Sequence, residues 1–271
     1  MARADKYRPW VVAHRGASSE IAEHTARAYE KAIKQGADAV ECDIRLTRDG
    51  HLVCVHDPTL SRTSDGRGRV SEVTLDEMRD LDFSSWRAEL PATADDLISE
   101  RPVETLPVLA FDDLLELVVN TPRPLRLFVE TKHPTRFGGL VEEQLVASLA
   151  QHGLHEPDDP RQSPITVMSF ATTAVRRVHA LAPNLPPVQL YRSVPPLRRD
   201  GTLARGIRIV GADIETVRKH PGYVQRVHKQ GNRCYVWTVD EPDDVELVLA
   251  LGVEGIITNR PAMVRDLIEA A

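Results

Sequence analysis

Residues 37–57 read ADAVECDIRLTRDGHLVCVHD, and the turn at their centre decides the architecture. Strand-like runs at 39–46 and 52–56 flank the linker TRDGH. A parallel crossover needs a dozen or more residues, so these two runs form an antiparallel hairpin turned at Asp49-Gly50. Further strand-like runs lie at 10–14, 126–131, 165–170, 187–191, 207–210, 233–239 and 255–258. Helical patterns separate most of them, at 26–35 after a Thr25 N-cap, 140–152, 172–181, 223–230 and 242–250. Strands alternating with helices imply a parallel sheet covered by helices. With the second hairpin arm set aside, eight β/α units remain. That predicts an α/β fold of the (β/α)8 TIM-barrel type with a β-hairpin arm. An open doubly wound sheet is the competing arrangement, but HRGASSE after the first strand lacks its glycine spacing. Residues at about 57–110 break the alternation and read as a small insertion in a single domain spanning 1–271. Leu60, Leu81, Phe83, Trp86 and Leu90 would pack it on the barrel or line a mouth.

Bulk properties narrow the function classes. The chain has 271 residues, 42% apolar and only 5% aromatic, with a net charge of −6. That is enough for a large core, and it lacks the basic excess of a nucleic-acid binder. The arginine pairs Arg176-Arg177 and Arg198-Arg199 read as solvated surface. Cys42, Cys54 and Cys234 are few, sit in apolar runs and have no metal-type spacing; they read as core residues in a reducing compartment. No apolar run approaches the roughly 20 residues of a membrane span, and the first residues lack a signal-peptide core. A cytoplasmic protein is expected; association into a homo-oligomer is left open.

Side chains alternate across a strand, so Glu41 and Asp43 share one face and Val40, Cys42 and Ile44 the other. If the apolar face meets the helices, the carboxylates point into the barrel. A buried like-charged pair calls for a cation, and oxygen donors suit Mg2+ or Ca2+. With Leu46 opposite His51, the hairpin register sets His56 opposite Glu41, about 5 Å away at Cβ. LRLFVETKHP (125–134) brings Glu130 and Lys132 to the C-terminal end of their strand, and VVAHRG (11–16) brings His14 and Arg15 to the same end of the first. TIM-barrel active sites are built at that end. The set predicts one divalent cation on Glu41, Asp43 and Glu130, with His14 and His56 as general acid and base. Arg15 and Lys132 would hold an anionic group, and the reaction class would be phosphodiester cleavage. Trp237 offers a wall for the substrate, with plain core packing as the alternative. A metal-free salt-bridge network of Glu41 and Asp43 with Arg15 and Lys132 is the bland alternative, and Glu130 could pair only with Lys132. His152, His155 and Glu156 read as a surface loop, and Asn259 and Arg260 as a strand cap.

The ordered pieces AHRGASSEIAEHT, AVECDIRLTRDGHLVCVHD, FVETKHP, YVWTV and GIITNRP resemble the glycerophosphodiester phosphodiesterases, over nearly the whole chain. The resemblance implies a (β/α)8 barrel with a small insertion and a divalent metal, usually Ca2+ or Mg2+, on Glu41, Asp43 and Glu130. It also implies His14 and His56 as the acid–base pair, and Arg15 and Lys132 on phosphate. The small-molecule substrate would be a glycerophosphodiester, cleaved through a cyclic phosphate to glycerol 3-phosphate and an alcohol. One position departs: the family commonly has Asn where this chain has His24. A lysophospholipase D acting on lysolipids and a non-catalytic phosphodiester-binding barrel are the alternatives.

Overall fold

The computed structural model describes residues 8–87 and 105–271. Eight parallel strands close into a barrel: β1 (Trp10–His14), β2 (Ala39–Leu46), β4 (Arg126–Thr131), β5 (Ile165–Ser169), β6 (Pro187–Tyr191), β7 (Ile209–Asp213), β8 (Arg233–Trp237) and β9 (Gly255–Thr258). Pairing of β1 with both β2 and β9 completes the closure. The covering helices include α1 (Ala26–Lys34), α3 (Phe111–Val119), α4 (Leu140–Gln151), α5 (Thr172–Leu181), α6 (Ile214–Lys219), α7 (Gly222–Lys229), α8 (Pro242–Leu251) and α9 (Pro261–Ala270). Thr25 caps α1 as its sequence suggests, its hydroxyl accepting from the Ala28 amide. β7 lies further along the chain than the pattern at 207–210. It continues to Asp213, whose carboxylate accepts from the Glu215 amide and turns the chain into α6.

The hairpin arm β3 (Leu52–Cys54) is antiparallel to β2 and outside the barrel. The Glu41 carbonyl accepts from Arg15 N, and Asp43, two residues on, accepts from Val55 N on the same edge. The arm therefore continues along the edge that β1 vacates at His14. Its register differs from the sequence expectation by one residue. Leu46 faces Leu52 because the turn encloses three residues, with Thr47 N bonded to His51 O. Pairing stops at Cys54, and His56 lies in the bend beyond it, not opposite Glu41.

The barrel interior has two layers of opposite character. Its floor is aromatic: the ring centroids of Trp10, Phe128 and Tyr235 lie 5.4–6.2 Å apart. Above the floor, at the strands' C-terminal ends, the inward positions are polar. Val40, Cys42 and Ile44 face the helices in the outer core. The segment after the hairpin arm includes α2 (Leu75–Arg79). Leu60, Val70, Met78 and Phe83 pack against Val53 and Val55 of the hairpin arm in their own cluster. Trp86 is exposed, and Leu90 lies outside the described residues. Among the described residues no helix is long and apolar enough to cross a membrane.

Because Phe128 is fully buried between two other rings, Phe128→Ala is expected to cost about 3–5 kcal/mol of stability. Denaturant unfolding measures it; a loss under about 1 kcal/mol would contradict a packed floor.

Candidate active site

The polar end of the barrel encloses a cavity of about 360 Å3 lined by His14, Arg15, Glu41, His56, Glu130, Lys132 and Trp237. Every sequence-predicted site residue except Asp43 contacts it, and Asp43 lies just beneath. Glu41, Asp43 and Glu130 each offer an oxygen, all within 4.8 Å of one another. Asp43 is completely buried, with Arg15 Nε at 2.9 Å and His24 Nε2 at 3.0 Å from its Oδ2. Its Oδ1 makes no hydrogen bond, although Lys132 Nζ lies 3.2 Å away. Lys132 also pairs with Glu130 at 2.7 Å.

The loop after β1 is shaped to deliver these groups. Gly16 packs so closely that a Cβ there would sit 2.6 Å from the Ala28 backbone. Arg15 and His24, neither of them glycine, hold φ of 59° and 62°. Such left-handed backbone persists only where surroundings enforce it. Here His24 N donates to Arg15 O, and Arg15 N donates to a Glu41 carboxylate oxygen at 3.1 Å.

Each histidine has its own support. His14 Nδ1 is 2.8 Å from Asn259 Oδ1, and Asn259 Nδ2 donates to Asp240 at 2.6 Å. With the amide oriented by Asp240, Nδ1 of His14 must donate, leaving Nε2 as a bare acceptor facing Glu41 at 4.0 Å. His56 Nδ1 is 2.6 Å from Asp57, which accepts from Arg62 Nε at 2.5 Å. Arg62 then grips Glu23, and Glu23 pairs with Arg15 at 3.0 Å.

The profile of the glycerophosphoryl diester phosphodiesterase family matches residues 14–263. The chain belongs to that family. A Mycobacterium tuberculosis protein named "Probable glycerophosphodiester phosphodiesterase 1" is 42% identical over 261 residues, covering 96% of this chain and 93% of its own. A Bacillus subtilis glycerophosphodiester phosphodiesterase is 33% identical over 253 residues, with 92% and 83% covered. The solved Oleispira antarctica phosphodiesterase in complex with sn-glycerol-3-phosphate superposes with a TM-score of 0.79 over 97% of this chain and 98% of that one. At 23% identity that likeness is one of fold.

Three features of this diesterase-family site were not assigned from sequence. Asn259, read as a strand cap, orients His14; it can do so because β9 neighbours β1 and their ends meet. Asp240 follows β8 and reaches the same place. Arg45, whose odd position matches Glu41 and Asp43, donates from Nε to the His56 carbonyl at 2.9 Å. Trp237 lines the cavity edge-on to Phe170, with ring centroids 5.4 Å apart. His24 bridges Asp43 to Tyr29, whose hydroxyl lies 2.8 Å from His24 Nδ1.

The electrostatics separate three carboxylates that sit side by side. Burial pushes Glu41 well above the usual carboxylate range, and the Asp43 charge adds to it. Burial and Asp43 likewise push Glu130 up to about 7. Burial acts the same way on Asp43, but Lys132, Arg15 and His24 outweigh it and hold its carboxyl well below the usual range. Lys132 and Arg15 thus suffice for one carboxylate, not three. Charge-deficient, all-oxygen donors within reach of one point fit a hard divalent cation.

A cation binding there must displace protons from groups whose pKa values are raised. Affinity is therefore highest above pH 7 and falls as pH drops through that value. The apparent Kd for Mg2+ or Ca2+ is expected to weaken by up to about tenfold per pH unit per proton displaced below pH 7. Calorimetric titration between pH 5.5 and 8 checks this; a pH-independent affinity would contradict the raised Glu130.

Proposed function

We propose that this phosphodiesterase hydrolyses glycerophosphodiesters to glycerol 3-phosphate and an alcohol, using one divalent cation and two histidines. The observation that carries the reading is the meeting of His14, Arg15, Glu41, Glu130, Lys132 and His56 around one cavity, above a closed aromatic floor. The family membership and the named activity of the 42%-identical relative support it.

Glu41, Asp43 and Glu130 would hold the cation, Mg2+ or Ca2+, which supplies positive charge to a phosphoryl oxygen. Arg15 and Lys132 complete the electrostatic cradle for the developing charge. Burial, aided by the Arg15 charge, lowers His14 to about 3. It is therefore neutral at physiological pH, and its bare Nε2 can accept a proton. Burial also lowers His56, against the pull of Asp43 and its partner Asp57. With a carboxylate on Nδ1, His56 is the better placed of the two to carry the extra proton, and we assign it as the acid.

In the first step His14 takes the proton of the glycerol hydroxyl next to the phosphoester. The hydroxyl oxygen bonds to phosphorus, the bond to the alcohol oxygen breaks, and His56 protonates that oxygen. In the second step the roles reverse. Water gives a proton to His56 and its oxygen bonds to phosphorus, the ring bond from phosphorus to the glycerol oxygen that attacked in the first step breaks, and His14 returns a proton to that oxygen. The net reaction consumes one water per diester. Trp237 and Phe170 would wall the carbon skeleton. A single domain that includes the insertion, and a cytoplasmic setting, go with this reading; the buried free cysteines fit the latter.

His14→Ala and His56→Ala are each expected to lower kcat by about 10²–10⁴-fold on glycerophosphocholine while the protein stays folded. Release of glycerol 3-phosphate, with and without chelator, measures it. Wild-type rates in either variant, or undiminished turnover after complete chelation, would sink the assignment.

A further inference from the structure

The catalytic cavity adjoins a second one of about 410 Å3, and the two share Arg45 and Lys132 in their linings. The far walls of the second cavity are Arg69 and Glu72 from the insertion and Arg136 from the segment after β4. Its lining thus carries three guanidinium groups and one ammonium group against the single carboxylate of Glu72. Arg69 and Arg136 are exposed, and among the described residues their side chains have neither a hydrogen bond nor an ion pair. The Glu72 carboxylate is also without an ion pair there; its carbonyl accepts from Arg48 and its amide donates to the Arg69 carbonyl. Elsewhere on this surface arginines do find carboxylates, as in Arg48–Glu77 at 3.2 Å and Arg161–Asp159 at 2.9 Å. Other exposed arginines, among them Arg67, Arg176, Arg205 and Arg208, also lack a side-chain partner among the described residues; what sets Arg69 and Arg136 apart is their place on a cavity that shares Arg45 and Lys132 with the catalytic one.

We infer that the second cavity is a subsite for a phosphoryl group carried on the alcohol half of the diester. This deepens the proposed diesterase activity and rests on it for the position of the reacting phosphorus, between Arg15 and Lys132. From there a substituent can leave the catalytic cavity past Lys132 and Arg45. Phe170, Trp237 and Leu190 give the catalytic cavity an apolar lining, with Arg192 also on it, and suit a carbon skeleton better than a second charge. Guanidinium forks match phosphate oxygens in pairs, and Arg69 and Arg136 have all their donors free for that contact. A cationic alcohol such as choline gains nothing from this wall, whereas a phosphorylated alcohol gains two or three charge-assisted contacts.

The test compares glycerophosphocholine with glycerophosphoglycerol phosphate, a diester ending in a phosphate monoester. Wild-type kcat/KM is expected to favour the phosphorylated diester by about tenfold or more, with the margin shrinking as salt rises. Arg69→Gln with Arg136→Gln should erase that margin through KM alone and leave glycerophosphocholine kinetics unchanged. A wild type without preference, a double variant that keeps it, or an equal loss on both diesters would overturn the subsite. Calorimetric binding of the same two diesters separates the two proposals. Tighter binding of the phosphorylated diester, lost in the double variant, upholds the subsite even where neither diester is hydrolysed, and then only the diesterase activity fails. Equal binding of the two overturns the subsite whether or not the activity stands.

Discussion

Three carboxylates share the interior of a closed barrel, and among the described residues Arg15 and Lys132 are the only arginine or lysine side chains paired with them, with the His24 imidazole a further partner of Asp43. The rest of the site is arranged around that imbalance. Closure of the sheet forces Glu41, Asp43 and Glu130 inward once Val40, Cys42 and Val129 face the helices. The Trp10–Phe128–Tyr235 floor closes the space beneath them. The two cations serve Asp43 first, so Glu41 and Glu130 remain poised to hold protons at pH values where exposed carboxylates would not. A buried network of this kind is costly if its only purpose is cohesion. Its chemistry makes sense as a cation seat.

The two histidines reach the site by different routes and meet different neighbours. His14 ends a barrel strand and is backed by a neutral amide, Asn259. His56 comes from a bend beyond the hairpin arm and is backed by a carboxylate, Asp57. Burial lowers both imidazoles, His14 to about 3, while Asp43 and Asp57 oppose the lowering at His56, an asymmetry of the kind the proposed acid–base pair would use. The Asp57–Arg62–Glu23–Arg15 chain ties the insertion to the loop after β1. Its hydrogen bonds fix His56 relative to Glu41, Asp43 and Glu130 although no strand register does so.

Much of this was legible in the residues. The short TRDGH linker forced an antiparallel arm, and the period-2 alternation in VECDIR correctly separated the inward carboxylates from the outward apolar residues. Placement of His14, Arg15, Glu130 and Lys132 at one end followed from strand polarity. The hairpin register did not: a three-residue turn shifts every opposite pair by one, and nothing local to TRDGH distinguishes the two closures. Asn259 was missed because its contact with His14 depends on β9 closing next to β1, more than 200 residues away in sequence, and Asp240 because it reaches His14 only through Asn259. The unpaired Arg69 and Arg136 look like ordinary surface arginines until the fold places them beside Arg45.

The central claim is that the barrel's acidic cluster is a cation seat, and diffraction locates a cation directly. Crystals grown with Mn2+ and glycerol 3-phosphate, measured at the manganese absorption edge, should show one anomalous peak within coordination distance of Glu41, Asp43 and Glu130, with the phosphate beside Arg15 and Lys132. A cluster free of anomalous density at saturating Mn2+, with the three carboxylates held by Arg15 and Lys132 alone, would contradict the account.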